Sequence, residues 1–245
     1  MVVNFSMTNF LLRAITAFFL VLVVGFVFLY LPKIAFTALL VAILLEILIF
    51  EWPKLAGKNI WLWCFALVYL VLPVCLLILL NQAGEFKLLA LLIVVVPAFD
   101  MGAYVIGSTI GRHKLCPSVS PNKTWEGVLG GFFGVLAVLL ISYSCDFTQY
   151  INSIKLDGIS NNPCHLSDFK NIVSNPVWLI FIAIIITILA TLGDLFESWL
   201  KRLANVKDSG SLLPGHGGFL DRIDAIIFVT FFFYFFKRFV LAVIF

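Results

Sequence analysis

The sequence predicts an all-α fold, a polytopic bundle of transmembrane helices with about seven spans. Three observations predict it. Of the 245 residues 62% are hydrophobic and only 12% are charged, against about 45–50% and about 25% in soluble domains. Mean hydropathy is +1.12, more apolar surface than a water-soluble fold of this size can cover. The apolar residues also fall in runs close to the roughly 20 residues that carry a helix across hydrocarbon. Backbone groups in lipid must bond one another, so each run is expected to be helical. Residues 1–245 read as a single integral membrane domain.

The runs follow in order. The first, 14–31, stands behind Arg13 in the manner of a signal peptide. It is longer than a signal-peptide core and no small-residue cleavage site follows, so it reads as a retained span. Residues 34–50 form the second run. The third, 60–80, contains Pro73 and is expected as a kinked span or two shorter pieces. Residues 86–110, 127–143 and 177–192 supply three more. The last, 223–245, is interrupted by Lys237 and Arg238, which predicts a helix ending near Phe236. The short connections also admit eight or nine spans.

Lys and Arg in the loops set the orientation. Lys54 and Lys58 share one connection, Arg112, Lys114 and Lys123 a second, and Lys201, Arg202, Lys207 and Arg222 a third. With seven spans these three loops fall on one side, read as the cytoplasm. The polar segment 144–176, rich in Asn, Ser and Asp, falls on the other side as a solvated connector, and His165 within it reads as a surface residue. A net charge of +3 gives no footprint for nucleic acid. The cysteines at 64, 75, 116, 145 and 164 form no C-x-x-C pair and read as unpaired thiols, although Cys145 and Cys164 share one loop and would pair if it faced an oxidising space.

Chemistry concentrates in the last basic connection. Asp194, Glu197, Ser198 and Lys201 stand at offsets of three and four, which puts them on one helix face. An i,i+4 pair between Glu197 and Lys201 would by itself do no more than solvate a helix end. A loop with Gly210, Gly215, Gly217 and Gly218 follows; glycines let backbone N–H groups approach an anion closely. With Lys201, Arg202 and Lys207 nearby, it has the makings of a phosphate cradle. Asp221 and Asp224, three apart, then point their carboxylates the same way at the threshold of the last run. Charge at a membrane edge is costly. Arg222 can neutralise one aspartate, and a helix start favours acids; the second calls for a cation. Mg²⁺ suits this pattern, because it takes one or two carboxylates and completes its shell with phosphate oxygens.

A second cluster lies upstream. Asp100 sits late in an apolar run, followed by Gly102, Gly107 and Gly111, which permit close helix approach. The stretch SPNKTWEG then carries Ser120, Pro121, Asn122, Lys123, Thr124 and Glu126. Thr124 is placed to cap the next helix, and the other polar residues read equally as interfacial anchors. This loop opens on the same predicted face as the glycine-rich connection.

Taken together, Ser198-x-Leu200-Lys201-Arg202, Lys207-Asp208-x-Gly210 and Leu213-Pro214-x-His216-Gly217-Gly218-Phe219-x-Asp221-Arg222-Ile223-Asp224 resemble the signature of the phosphatidate cytidylyltransferases, or CDP-diacylglycerol synthases. Asp100-x-Gly102-Ala103-Tyr104 and residues 120–127 are similar to upstream motifs of the same family. The resemblance covers the C-terminal three-fifths of the chain, with a catalytic region at about 98–236. It implies condensation of CTP with phosphatidate to CDP-diacylglycerol and diphosphate, with Mg²⁺ and room for a second cation. It also implies a homodimer in a bacterial inner membrane, with its site open to the cytoplasm and to lipid. On this reading Asp221, Asp224 and Asp194 hold the metal. Lys201, Arg202 and Lys207 bind the triphosphate or the lipid headgroup, with Arg222, Lys123 and Asn122 as further phosphate contacts. Gly217 and Gly218 close the backbone around phosphate, and Ser198, Asp208 and His216 belong to the site. Asp100, Tyr104 and Glu126 form a second cluster.

Two rivals use the same features. A CTP-dependent lipid or polyprenol kinase would transfer the γ-phosphate instead. An ion-coupled transporter would carry its acids near mid-membrane in broken helices, whereas these crowd at one membrane edge beside a basic loop.

Overall fold

The computed structural model describes residues 22–144, 177–206, 209–210 and 218–245. The connector 144–176 beyond Ser144, with Cys145, Cys164 and His165, lies outside the described residues, as does the start of the first predicted span. Helical residues 22–30 (α1) are followed by α2 (Lys33–Ala56), α3 (Ile60–Ala83) and α4 (Phe86–Thr109). A small antiparallel hairpin, β1 (Lys114–Cys116) and β2 (Ser120–Thr124), leads into α5 (Trp125–Ser144). Helices α6 (Val177–Leu203), α7 (Leu220–Phe235) and α8 (Lys237–Ile244) complete the chain. Five helices, α2 to α6, are long and apolar enough to cross a membrane, and the bent pair α7–α8 makes a sixth. The protein is an all-α polytopic membrane protein; the hairpin is the one sheet among the described residues. Cys64, Cys75 and Cys116 are free thiols.

Two prolines shape the early helices. Proline has no N–H for the carbonyl four residues back, and its ring crowds that carbonyl. Before each of these two the helix widens. A π turn at Ile47–Glu51 precedes Pro53, and a second at Leu67–Val71 precedes Pro73. The expected break at Pro73 is therefore a widened turn inside one continuous 24-residue helix. Such turns also shift the helix face by part of a turn, a point that matters for Glu51 below. The predicted stop near Phe236 is real: α7 ends at Phe235, and α8 leaves at 87°.

The described chain divides into two compact units, residues 1–74 with 200–223 and residues 75–199 with 224–245. In the first, Asn59 caps α3 by accepting from Trp61 N–H at 3.0 Å, and Gly57 closes the turn from α2 at a φ of +52°, a conformation that side chains disfavour.

In the second unit the main contact is α4 against α5. A Cβ at Gly102 would overlap the Gly130 carbonyl, one at Gly130 the Gly102 carbonyl and Ile106, and one at Gly134 the Ala98 carbonyl. Small residues let the two backbones touch, the packing that membrane helices use where hydrophobic drive is absent. Thr124 caps α5 as the sequence predicts, its Oγ1 accepting from Gly127 N–H at 3.1 Å. Helix α8 packs on α4 and α5, with Lys237 Nζ 3.9 Å from Glu85 Oε1 and Trp178 edge-on to Phe239.

Gly130→Ala is expected to destabilise the second unit by about 1–3 kcal/mol, the usual effect of forcing one methyl into a closed contact. A lowered thermal midpoint in detergent checks this, with Gly25→Ala, which meets nothing within 4 Å, as the neutral control.

Candidate active site

In the second unit, Gly193 decides where the acids go. A Cβ there would meet Ala225 Cα at 2.9 Å, so α6 and α7 touch backbone to backbone. The contact brings Asp194, next in sequence, alongside Asp224. Asp224 is buried, and its Oδ1 accepts from Ala225 N–H at 2.8 Å. The charges that act on it are the carboxylates of Asp194, Glu197 and Asp100 and, opposing them, the ammonium of Lys123. Glu197 is itself 2% exposed. Three carboxylates and one ammonium thus act on Asp224 where α6 and α7 meet.

Lys123 comes from the β hairpin. Its Nζ pairs with Asp194 Oδ2 across 71 residues of sequence. The hairpin is held at its base: Trp125 N–H donates to the His113 carbonyl at 3.0 Å. Glu126 accepts from His113 N–H at 3.2 Å and lies 2.6 Å from His113 Nδ1. Glu126 therefore anchors the strand that presents Lys123. Asn122 is exposed on that strand, and Asp100 and Tyr104 lie exposed one turn apart on α4. Beside Asp194 on α6, Leu192, Leu195, Phe196 and Trp199 join Cys116, Val119 and Phe228 around an apolar cavity of about 310 Å³.

The first unit holds the other part of the predicted set. Lys201 Nζ donates to Asp221 Oδ1 at 2.8 Å, with both side chains mostly covered. Gly218 N–H donates to Asp221 Oδ2 at 2.8 Å. Arg202 and Arg222 are exposed, and Ser198, in the other unit, is half-buried. Lys207, Asp208, His216 and Gly217 lie outside the described residues. No three His, Cys, Asp or Glu side chains converge tightly enough among the described residues to enclose an ion unaided.

One residue at this site was passed over in the sequence. Glu51 is completely buried, and its carboxylate accepts from Ser209 Oγ at 3.0 Å, Phe219 N–H at 2.6 Å and Leu220 N–H at 2.9 Å. A Cβ at Gly210 would meet its Oε1 at 2.8 Å, and one at Gly218 would overlap it as well as Ser209 Oγ. The glycines of the signature thus make room for a carboxylate from α2. The signal was available: Glu51 ends an apolar run, and an acid there is a functional candidate by default.

Comparison with known proteins identifies the family. A family model described as "Cytidylyltransferase family" matches residues 2–240. The chain belongs to the cytidylyltransferase family. It is 35% identical over 180 residues to the phosphatidate cytidylyltransferase of Rickettsia bellii, covering 72% of this chain and 69% of that one. The Rickettsia conorii protein of the same name is 33% identical over 182 residues, 74% and 71% of the two chains. That of Bacillus subtilis is 39% identical over 142 residues, 58% and 44%. A cytidylyltransferase has to hold a triphosphate, and both units of this one set basic side chains against carboxylates.

The Lys201–Asp221 pair is mostly covered, so a double-mutant cycle with Lys201→Met and Asp221→Asn should give a coupling of about 1–3 kcal/mol. Unfolding in denaturant measures it; a coupling near zero would mean the pair is solvated.

Proposed function

We propose that this cytidylyltransferase is a phosphatidate cytidylyltransferase of bacterial phospholipid biosynthesis, using CTP at the cytoplasmic face of the inner membrane and working as a homodimer. The observation that carries the reading is the buried Asp224 with the carboxylates of Asp194, Glu197 and Asp100 acting on it. In a membrane such charge calls for a cation, and the chemistry of phosphates supplies one. The donor set suits Mg²⁺, which needs only one or two carboxylates when phosphate oxygens and water fill its shell. Asp224, Asp194 and Asp221 are the residues assigned to hold it. Bound there, the ion would neutralise charge developing on the phosphates.

The reaction asks little of general bases. A phosphatidate phosphate oxygen, already ionised at neutral pH, attacks the α-phosphorus of CTP; the bond to the β-phosphate oxygen breaks, and diphosphate leaves. Positioning and charge neutralisation do most of the work in such transfers. Lys201, Arg202 and Lys207 are assigned to triphosphate or headgroup oxygens, with Lys123, Asn122 and Arg222 as further contacts. Gly217 and Gly218 give phosphate backbone access, and Ser198, Asp208 and His216 complete the site. His216 is assigned to binding rather than to proton transfer. The Lys201–Asp221 and Lys123–Asp194 pairs keep both partners in place until a phosphate arrives to share the lysine. The apolar cavity beside Asp194 suits an acyl chain.

Purified protein given phosphatidate, Mg²⁺ and labelled CTP tests the reading. Label from the α-phosphate should enter lipid, and label from the γ-phosphate should leave in diphosphate; γ-label in lipid would instead make the protein a kinase. Asp221→Asn and Asp224→Asn should each cut turnover by about a hundredfold or more while the protein still elutes as a folded species. Near-normal activity in either removes that residue from the metal assignment.

A further inference from the structure

We propose that Glu51 is a positioning residue for the transfer site, a clamp on the first turn of α7 that sets the carboxylate of Asp221. This inference rests on the phosphatidate cytidylyltransferase reading. Three donors from two segments of the signature meet at one side chain more than 150 residues away in sequence.

The geometry forms a chain of fixed contacts. Phe219 and Leu220 open α7, and their N–H groups have no partner within the helix. Glu51 accepts both and so caps the helix from another element, where negative charge meets the positive end of the helix dipole. One residue back, Gly218 N–H donates to Asp221 Oδ2, while Lys201 donates to Oδ1. Asp221 is therefore aimed by a backbone turn, and Glu51 holds that turn. Ser209 ties the other arm of the loop to the same carboxylate. Gly210 and Gly218 lack side chains where the carboxylate sits, so the loop is shaped to this acid.

A purely structural cap would not need a charge. Serine, threonine or asparagine serve at most helix starts, and a fully buried carboxylate within a membrane helix is costly by comparison. The acceptor-only chemistry of a carboxylate is what three converging donors require. The π turn ending at Glu51 re-aims the side chain part of a turn from its regular helical direction, a device found often at functional sites.

The test uses the full chain in lipid nanodiscs, with Glu51→Gln and Ser209→Ala. The glutamine amide would set an NH₂ group against donors. Hydrogen exchange at Phe219 and Leu220 should then run about tenfold faster, with α5 amides unchanged. Turnover per folded molecule should fall about tenfold or more, as displacements near 1 Å do, with KM for phosphatidate within about twofold of wild type. Ser209→Ala, which withdraws one donor and leaves the acid, should show both effects in milder form and serves if Glu51→Gln does not fold. Faster exchange with unchanged turnover overturns the positioning role, and unchanged exchange overturns the clamp itself. If wild-type protein shows no turnover with phosphatidate and CTP, the functional reading fails; Glu51 is then retained as a clamp only if exchange responds.

Discussion

A carboxylate carried at the end of an apolar helix must be answered, and the arrangement of this protein follows from how each is answered. Glu51 is met by a hydroxyl and two backbone N–H groups. Asp221 is met by Lys201 and the Gly218 N–H, Asp194 by Lys123, and Glu126 by the base of the hairpin. Leaving such a group unanswered in a low-dielectric surrounding costs several kcal/mol, so these contacts fix loops that would otherwise have few apolar anchors. Around Asp224 the sum differs: Asp194, Glu197 and Asp100 act together and one lysine opposes them. That group of charges is the one to which the proposed function assigns a metal ion.

Glycine provides the complementary device. Along the α4–α5 seam and at Gly193 the missing side chains let backbones touch, and at Gly193 two acid-bearing helices come within reach of each other. At Gly210 and Gly218 the same absence accommodates an acid. Read as a phosphate cradle alone, the glycine-rich loop leaves these two positions without a packing reason; the Glu51 carboxylate supplies one.

Much of this was legible in the sequence. Apolar runs and the interruption at Lys237 and Arg238 gave the helices and the bend after Phe235, because length in hydrocarbon and the cost of charge are local properties. Thr124 as a cap and Gly102 in a helix contact were likewise readable. The pairings were not. That Lys201 reaches Asp221 rather than serving only its helix neighbour Glu197 depends on tertiary approach, as does Lys123 meeting Asp194. Glu51 was overlooked because a lone acid ending an apolar run looks like a boundary, and nothing nearby in sequence names its partners. Chain positions 207–208 and 211–217, which carry Lys207, Asp208, His216 and Gly217, rest on the signature.

The central claim is that the acids around Asp224 hold a divalent ion together with the nucleotide. Mn²⁺ in place of Mg²⁺ reports this by electron paramagnetic resonance without any turnover. Titrated into purified protein with CTP, Mn²⁺ should give a bound signal whose affinity falls at least about tenfold in Asp224→Asn. Equal Mn²⁺ affinity in the wild type and Asp224→Asn, both with CTP, would contradict the account.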